Sequence, residues 1–460
     1  MVTDSPDWVS ESTSVVTAAQ AAGVQLVRFE YCDVSGVARA KSVHVSQLGH
    51  KLVEGVGLTR AQMAIDLLGQ VVPVAGMEPV GEIRLVPDPA TWTVLPWAPA
   101  TAGLLCDQLD HDRKDWGACP RAFLKRAIGA AADLGISVRA SFENEYYVAR
   151  MEEGRYVPDD APFGAPVYSA IGLDHHTQLL LDTVDALQAQ GLEVESAINE
   201  YGPGQLEITV SPTDALGAAD GQMKLRDTAR GVAAQHGLVA SFAPKPYPDR
   251  IGSGAHLHFS LWGDDGQSLL YDPGAEGGLS PRGRAFIAGV TAHLPALCAL
   301  TTPSYNSFRR LQPNAWAAAT TAWGFDNREA ALRVASPFFG RETQSYNIEL
   351  KASDPSANPY LALGGLILCG LDGIRRELDP GPPATRDPAA LTPAELAAAN
   401  IRALPHSMGE ALDQLENDPL LTGALGDLLG RCYLAVRRSE ERAFAAADID
   451  FELRHHFYRF

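Results

Sequence analysis

Four separate segments of the chain alternate polar and apolar residues with the two-residue period of a β-strand. They are residues 138–148, 205–210, 255–261 and 347–351. Their polar positions include carboxylates, imidazoles and a hydroxyl: Glu143, Glu145, Glu207, His256, His258, Ser260 and Glu349. Successive side chains of a strand point to opposite faces of its sheet. The pattern therefore predicts four strands that each present one apolar face and one polar face.

The polar faces allow two interpretations. Antiparallel strands often turn a solvated face outward, and each segment taken alone fits that description. Carboxylates placed side by side repel one another, however, and a cluster of them needs a cation to be tolerated. The candidate ligands are Glu143, Glu145, Glu200, Glu207, Glu349 and His256. Oxygen-rich ligand sets of this kind suit Mg²⁺ or Mn²⁺ rather than a closed zinc site.

Arginines add a second kind of chemistry. Arg310, Arg328 and Arg333 would balance the negative charge that remains when five carboxylates bind two divalent ions. Hard ions with nearby arginines are the groups that phosphoryl transfer requires. The chain has no GxxxxGK[ST] phosphate loop and no GxSxG nucleophile motif. The sequence therefore favours metal-assisted phosphoryl transfer.

The first hundred residues predict a small β-rich domain. Its predicted elements are a helix within residues 1–23, strands over 25–32 and 37–45 around a turn at 33–36, and two strand-like stretches within 81–95. Farther on, Pro120 fits the first turn of a helix that runs to Leu134, and Gly135 fits the position after its end. The expected domains are residues 1–110, with the leading helix, and residues 111–460.

Composition argues against several classes of partner. The 460 residues carry a formal net charge of −19, whereas nucleic acids and anionic membranes bind basic surfaces. The longest nearly apolar run, Tyr360–Leu371, is too short to span a bilayer, and no signal peptide is visible. Six scattered cysteines without a CxxC pair indicate neither structural zinc nor a disulfide framework. We expect a cytoplasmic protein with no nucleic-acid or membrane partner.

Seven stretches of the chain, in this order, resemble the glutamine synthetase superfamily, type I. They are PDPATWTVLPW (87–97), FENEYYV (142–148), NEYGPGQLEI (199–208), APKPYPDRIGSGAHLHFSL (243–261), PSYNSFRRLQP (303–313), DNREAALRV (326–334) and IELKASDPSANPYLALGGLI (348–367). The resemblance implies an α+β fold with an N-terminal β-grasp domain and a catalytic domain in which helices flank an antiparallel sheet. It also implies a homo-oligomer, usually a dodecamer of two hexameric rings, with active sites between neighbouring subunits.

The resemblance implies roles for individual residues. Glu145, Glu200 and Glu207 match one metal site, and Glu143, His256 and Glu349 match a second, on the nucleotide phosphates. The residues that match ATP contacts are Glu195, His258, Ser260 and Arg333. The residues that match glutamate contacts are Gly252, Arg310, Arg328 and Lys351. Arg328 and Arg333 also match the catalytic arginines that hold the transferring phosphoryl group.

The departures from the family pattern concern the ammonium site above all. Thr59 stands where glutamine synthetases have an aspartate, and Trp316 stands where they have a flap glutamate. Tyr168 on the site wall is kept, so an amine pocket of Thr59, Tyr168 and Trp316 is implied. In addition, Lys351 and Asn347 stand where the family usually has arginines.

These departures predict an ATP-dependent ligase that joins the γ-carboxylate of glutamate to an organic amine through a γ-glutamyl phosphate. The amine would be an alkylamine, an ethanolamine-like amine or a polyamine. One alternative is an ordinary glutamine synthetase that uses ammonium. A second alternative is an inactive structural relative, against which the complete set of metal ligands and phosphoryl arginines argues.

Overall fold

A six-stranded sheet contains the N-terminal strands of the protein, seen here in a computed structural model that describes the backbone of residues 6–460 and the side chains of residues 11–460. The strands are β1 (Leu26–Cys32), β2 (Ala38–His44), β3 (Val56–Thr59), β4 (Glu82–Pro87), β5 (Thr93–Val94) and β6 (Thr101–Leu109). They lie in the order β2-β1-β6-β4-β3, with β5 paired to β6. The antiparallel pairing of β1 with β2 confirms the predicted hairpin.

The turn of that hairpin packs against a distant part of the chain. Asp33 Oδ1 accepts hydrogen bonds from the backbone N–H groups of Ser35 and Val37, each at 2.9 Å. Gly36 has φ +79°, and a Cβ at this position would lie 2.3 Å from the carbonyl oxygen of Ser356. Only glycine fits this close approach.

A ten-stranded sheet forms the centre of the remaining chain. Its strands are β7 (Ile136–Glu152), β8 (Arg155–Pro158), β9 (Val194–Asn199), β10 (Gln205–Val210), β11 (Thr213–Asp214), β12 (Val239–Ser241), β13 (Ala255–Gly263), β14 (Trp323–Phe325), β15 (Leu332–Ala335) and β16 (Asn347–Leu350). The order is β14-β15-β16-β13-β7-β10-β9, and β8, β11 and β12 also pair with β7. All of these pairings are antiparallel except that of β14 with β15. Each of the four alternating segments lies in one of these strands, except that β16 ends at Leu350, one residue before the end of its segment.

Helices surround the two sheets, and the predicted α+β fold is confirmed. They are α1 (Pro6–Ala21), α2 (Leu48–Glu54), α3 (Pro120–Ala132), α4 (Ala170–Ala189), α5 (Ala215–Gln235), α6 (Pro281–Thr301), α7 (Ser307–Arg310), α8 (Glu342–Ser345), α9 (Pro359–Arg375), α10 (Pro393–Ala398), α11 (Met408–Glu416), α12 (Pro419–Ala445) and α13 (Ile449–Arg459). Residues 1–5 of the predicted first helix lie outside the described residues. As predicted, α3 begins at Pro120; it ends two residues early, and Gly135 follows at φ +65°.

The face of β7 opposite Glu143 and Glu145 belongs to the core. Apolar residues of this face, such as Phe142, pack in the main hydrophobic cluster. Asn144 is the polar exception, and it is fully buried. Its amide exchanges two hydrogen bonds with the Gln222 amide of α5, at 2.7 and 2.6 Å. A buried polar group with both partners in place fixes the register of the strand against the helix.

Among the described helices, α6 alone has the length and apolar composition of a membrane span. Of its most apolar window, 78% is buried inside the protein, as expected for a core helix. The apolar run Tyr360–Leu371 lies within α9. All six cysteines are buried and free of disulfides.

Candidate active site

The polar faces of five neighbouring strands meet in one row across the ten-stranded sheet. The paired residues are Glu207–Glu145 (β10–β7), Glu143–His256 (β7–β13), His258–Glu349 (β13–β16) and Glu349–Arg333 (β16–β15). Side chains that are directly opposite in neighbouring strands lie close enough to interact. The register therefore brings together groups that are separated by up to about two hundred residues in the sequence.

An imidazole and two carboxylates form the tightest group in this row. His256 Nδ1 lies 3.0 Å from Glu143 Oε2 and 3.2 Å from Glu349 Oε1. The candidate ligand atoms of these three residues all lie within 4.8 Å of one another. His258 Nε2 is 3.6 Å from the same Glu143 oxygen, and its Nδ1 faces Asn347 Oδ1 at 2.9 Å. The group offers the mixed oxygen and nitrogen donors of a divalent-cation site.

Three further glutamates border the cavity next to this group. Glu145 Oε2 accepts hydrogen bonds from the Gly254 backbone N–H at 2.9 Å and from the Gln205 amide at 3.2 Å. Burial, and then repulsion from neighbouring carboxylates, raises the pKa of Glu200 to about 7 and that of Glu207 to about 10. A bound cation would reverse this penalty by stabilising the charged carboxylates. The donor set therefore fits a hard divalent ion.

Glu349 differs from those glutamates because cations of the chain already surround it. Its side chain is 1% exposed, it pairs with the guanidinium of Arg333, and Lys351 Nζ lies 3.1 Å from its Oε1. Although burial opposes the shift, Lys351, the two histidines and Arg333 hold the pKa of this carboxyl well below its usual range. Lys351 therefore contacts a carboxylate of the row as well as the cavity.

The cavity beside the row has a volume of about 720 Å³. Of the residues singled out in the sequence, its lining includes Glu143, Glu145, Tyr168, Glu200, Glu207, Gly252, His256, Arg310, Trp316, Arg328 and Lys351. Residues with no assigned role also line it, among them Lys245, Tyr201, Gln312 and Asn314. The lining of the cavity therefore combines carboxylates, cations and aromatic rings.

Arg310 is anchored deep in this cavity. Its side chain donates through Nη1 to the Ser353 carbonyl oxygen at 3.2 Å, and its Nη2 lies 3.0 Å from His256 Nε2. Gly252 packs against it, since a Cβ there would lie 2.9 Å from Arg310 Cγ and 2.6 Å from the Pro244 carbonyl oxygen. The absence of a side chain keeps the Gly252 backbone open to the cavity.

Two aromatic residues at the cavity wall adopt the left-handed backbone conformation. Tyr168 has φ +56° and Trp316 has φ +51°, and their side chains are 44% and 49% exposed. Bulky residues rarely adopt this conformation, and strain of this kind concentrates at functional sites. Glu329 Oε1 accepts a hydrogen bond from the Trp316 backbone N–H at 3.1 Å. Sequence reasoning missed Glu329, although it directly follows Arg328.

The remaining candidate residues lie away from the cavity. Ser260 pairs with Arg139, four residues before Glu143 on β7 and thus about 13 Å away along the strand. Its Oγ accepts a hydrogen bond from Trp262 Nε1 at 2.9 Å. Glu195 of β9 accepts one from Ser211 Oγ at 2.9 Å. Ser260 therefore extends the polar face of β13 beyond the row, whereas Glu195 lies at an irregularity in the pairing of β9 with β10.

Thr59 lies at the end of β3, in the other sheet, where it pairs with Glu82. It is not among the residues that line the cavity. Its Oγ1 is buried and has no hydrogen-bond partner within the described part of the chain.

A carboxylate–imidazole row across paired strands, with arginines beside it, provides the groups that metal-assisted phosphoryl transfer requires and fits an enzyme of that class. Comparison with known families makes the assignment specific. Residues 117–456 match the glutamine synthetase catalytic domain, and residues 11–120 match the glutamine synthetase N-terminal domain. The chain belongs to the glutamine synthetase family, so it is a carbon–nitrogen ligase.

Individual relatives cover nearly the whole chain. Gamma-glutamylpolyamine synthetase GlnA3 of Streptomyces coelicolor is 36% identical over 457 residues, covering 97% of this chain and 96% of the relative. A glutamine synthetase of Halobacterium salinarum is 31% identical over 453 residues, covering 97% of this chain and 96% of the relative. A solved GmaS/ADP complex superimposes with a TM-score of 0.84 at 27% identity, covering 96% of this chain and 98% of that one.

Proposed function

We propose that the protein is an ATP-dependent ligase that joins the γ-carboxylate of glutamate to an organic amine. The observation that carries the proposal is the half-exposed ring of Trp316 in the cavity wall, where the family resemblance leads us to expect a carboxylate. The similarity to a gamma-glutamylpolyamine synthetase supports the same substrate class.

Two sets of residues would hold divalent cations, with Mg²⁺ or Mn²⁺ as the best match for their oxygen donors. The first set is Glu145, Glu200 and Glu207, and the second is Glu143, His256 and Glu349. Bound cations would supply charge neutralisation on the phosphates of ATP. Chelator should abolish activity and added Mg²⁺ or Mn²⁺ should restore it; full activity in excess chelator would refute this assignment.

The side chains of the chain itself bind and orient the substrates in this proposal. Arg310, Lys351 and the Gly252 backbone would hold glutamate, while Arg328 and Arg333 would hold the transferring phosphoryl group. The remaining polar sheet face, with Glu195, His258 and Ser260, would contact ATP. Fixed positive groups placed where negative charge develops lower the barrier, because they need no reorganisation during the reaction.

The reaction has two chemical steps. A γ-carboxylate oxygen of glutamate attacks the γ-phosphorus of ATP, the bond to the bridging oxygen breaks, and ADP leaves. The amine nitrogen then attacks the acyl carbon of the γ-glutamyl phosphate, loses a proton and displaces inorganic phosphate. Activation is needed because an unactivated carboxylate has no adequate leaving group.

The preference for an organic amine follows from the cavity wall. Ammonium is small and has no CH₂ groups that the cavity wall could contact, so its binding depends on carboxylates that desolvate it and accept its proton. An aromatic face instead suits the CH₂ groups of an organic amine, and cation–π contact with a charged head adds about 0.5–2 kcal/mol. Loss of the two family carboxylates therefore contributes more to the preference than the gain of the ring.

The test is phosphate release with ATP and glutamate against a panel of ammonium, alkylamines, ethanolamine and polyamines, with the products identified by mass. We expect an organic amine to have a higher kcat/KM than ammonium. Glu145→Ala provides the background control, because it removes one of the cavity carboxylates. Efficient glutamine formation with no turnover of any organic amine would instead favour an ordinary glutamine synthetase.

We also propose that the protein forms a homo-oligomer, a dodecamer of two hexameric rings, in which Thr59 reaches the cavity of a neighbouring subunit. The family resemblance supports this arrangement, because Thr59 matches an active-site position although it does not line the cavity of its own chain.

A mixing experiment tests this assembly. Thr59→Trp would block the neighbour's pocket, and Glu145→Ala would disable a subunit's own site. If sites form between subunits, coexpression of the two inactive variants restores part of the activity. Some sites then combine the intact carboxylate row of a Thr59→Trp subunit with the intact Thr59 of a Glu145→Ala subunit. A monomeric mass under active conditions, or full activity of Thr59→Trp alone, would contradict the proposal.

A further inference from the structure

A second cluster of metal-ligand side chains lies outside the carboxylate row. Asp159 directly follows β8, and His175 and His176 lie near the start of α4. His175 Nε2 is 3.3 Å from Asp159 Oδ2, and His176 Nε2 is 3.4 Å from the same oxygen. The candidate ligand atoms of the three residues lie within 4.8 Å of one another.

The hydrogen-bonding capacity of His176 indicates that a cation belongs at this cluster. The residue is 2% exposed. Its Nδ1 lies 3.1 Å from the Gly172 carbonyl oxygen, and its Nε2 lies 3.1 Å from the Asp159 carbonyl oxygen. Both carbonyl oxygens are acceptors, whereas a neutral imidazole has only one N–H to donate. Whichever nitrogen carries that proton, the lone pair of the other nitrogen faces a carbonyl oxygen. With the proton on Nδ1, a metal ion bound at Nε2 would remove this mismatch and would also contact Asp159 Oδ2.

The separations from Asp159 Oδ2 fit a shared metal ion. A charge-assisted N–H···O bond to a carboxylate is about 2.7–2.9 Å long, shorter than the two separations from Asp159 Oδ2. Ligands about 2.1 Å from a tetrahedral metal ion are separated by about 3.4 Å, close to the 3.3 and 3.4 Å found here. We propose that Asp159, His175 and His176 bind a transition-metal ion of the Zn²⁺ class. Two imidazoles and one carboxylate suit Zn²⁺ or Co²⁺ better than Mg²⁺.

The surroundings orient the carboxylate for this role. Arg150 pairs with the other Asp159 oxygen, Oδ1, and this leaves Oδ2 directed at the two imidazoles. The metal ion would connect the end of β8 to α4. The connecting segment, residues 159–169, carries Tyr168, so the ion would act as a structural clip beside the amine pocket rather than as part of the phosphoryl machinery.

Zinc content tests the site. The protein is loaded with Zn²⁺ in excess Mg²⁺, desalted and analysed for metal. We expect His175→Ala, which changes a side chain that is 27% exposed, to retain one zinc equivalent fewer per chain than the wild type. The control is His236→Ala, since His236 also pairs with an aspartate, Asp182 at 2.8 Å, but without a second histidine. That control should bind as much zinc as the wild type.

Co²⁺ spectroscopy identifies the site independently of stability. A tetrahedral Co²⁺ ion gives strong visible absorption bands, which should disappear in Asp159→Asn and persist in His256→Ala. Circular dichroism shows whether each variant is folded. Equal zinc in the wild type, His175→Ala and His236→Ala would overturn the proposal. Co²⁺ bands that depend on His256 and not on Asp159 would overturn it as well.

Discussion

The carboxylate of Glu329 accepts a hydrogen bond from the backbone N–H of Trp316, with an O···N distance of 3.1 Å. Trp316 lies in a loop in which Asn314 and Ala318 also have positive φ, at +61° and +66°. Left-handed residues other than glycine cost about 1–3 kcal/mol each and persist only where their surroundings hold them. Glu329 is therefore a positioning residue for the aromatic wall of the cavity.

Loss of that contact should affect the amine more than the nucleotide. We expect Glu329→Ala to raise KM for the amine about 10-fold, which corresponds to loss of about 1.4 kcal/mol, with little change in KM for ATP. Glu329→Gln retains an acceptor oxygen and should recover most of the loss. An equal rise in both KM values, measured by steady-state kinetics, would contradict a local role for this contact.

Restoring the two carboxylates of the family pattern should restore the use of ammonium as a substrate. We expect Trp316→Glu combined with Thr59→Asp to shift the ratio of kcat/KM for ammonium over the best organic amine toward ammonium, because the new groups can desolvate the ion and accept its proton. Trp316→Phe is the matched control, since it keeps an aromatic face and should keep the preference. An unchanged ratio in the double variant would refute the assigned pocket.

The crowded glutamates should limit the stability of the metal-free protein. Glu207→Gln removes a carboxylate whose charge is opposed by burial and by its neighbours. In excess chelator the melting temperature should rise by about 1 °C for each kcal/mol of electrostatic penalty removed, given an unfolding entropy of about 2.1 cal/mol/K per residue, while activity with metal is lost. Glu195→Gln, a change at an exposed position of β9, should leave the melting temperature unchanged. A lower melting temperature for Glu207→Gln would contradict the argument.

A histidine far from the cavity should make stability depend on pH. His293 of α6 lies 2.6 Å from Asp418 and 3.2 Å from Asp372. Although burial opposes it, hydrogen bonds to these aspartates raise the pKa of His293. The contribution of His293 to the free energy of unfolding is therefore complete below the pKa of about 6.5 that the residue has in the unfolded chain. It is lost as pH rises through the higher pKa of the folded protein. His293→Gln should lower the free energy of unfolding more at about pH 6 than at about pH 9, as measured by urea denaturation.

The exposed pair of His236 with Asp182 provides the comparison, because exposed ion pairs contribute little. His236→Gln should show a much smaller pH-dependent difference. If both variants lose the same stability at both pH values, the His293 ion pairs do not act as described.

The strands could be predicted from the sequence because their two-residue period assigns each side chain to a face without knowledge of the neighbouring strands. Glu143 and Glu145 therefore appear on one polar face in both the prediction and the structure. The same reasoning could not explain Asn144 on the apolar face, since its partner Gln222 lies in a helix 78 residues away. Glu329 escaped notice for a similar reason, because its contact with Trp316 depends on how two loops approach one another.

The two aromatic residues of the cavity wall lie where the amine specificity of the enzyme can change without changing the carboxylate row. Tyr168 and Trp316 lie in loops, whereas most of the carboxylates and imidazoles of the row lie in paired strands. Loops tolerate sequence change far better than paired strands do. Selection, or a directed library confined to residues 160–169 and 314–318, can therefore change which amine the enzyme accepts while the phosphoryl-activating residues stay the same.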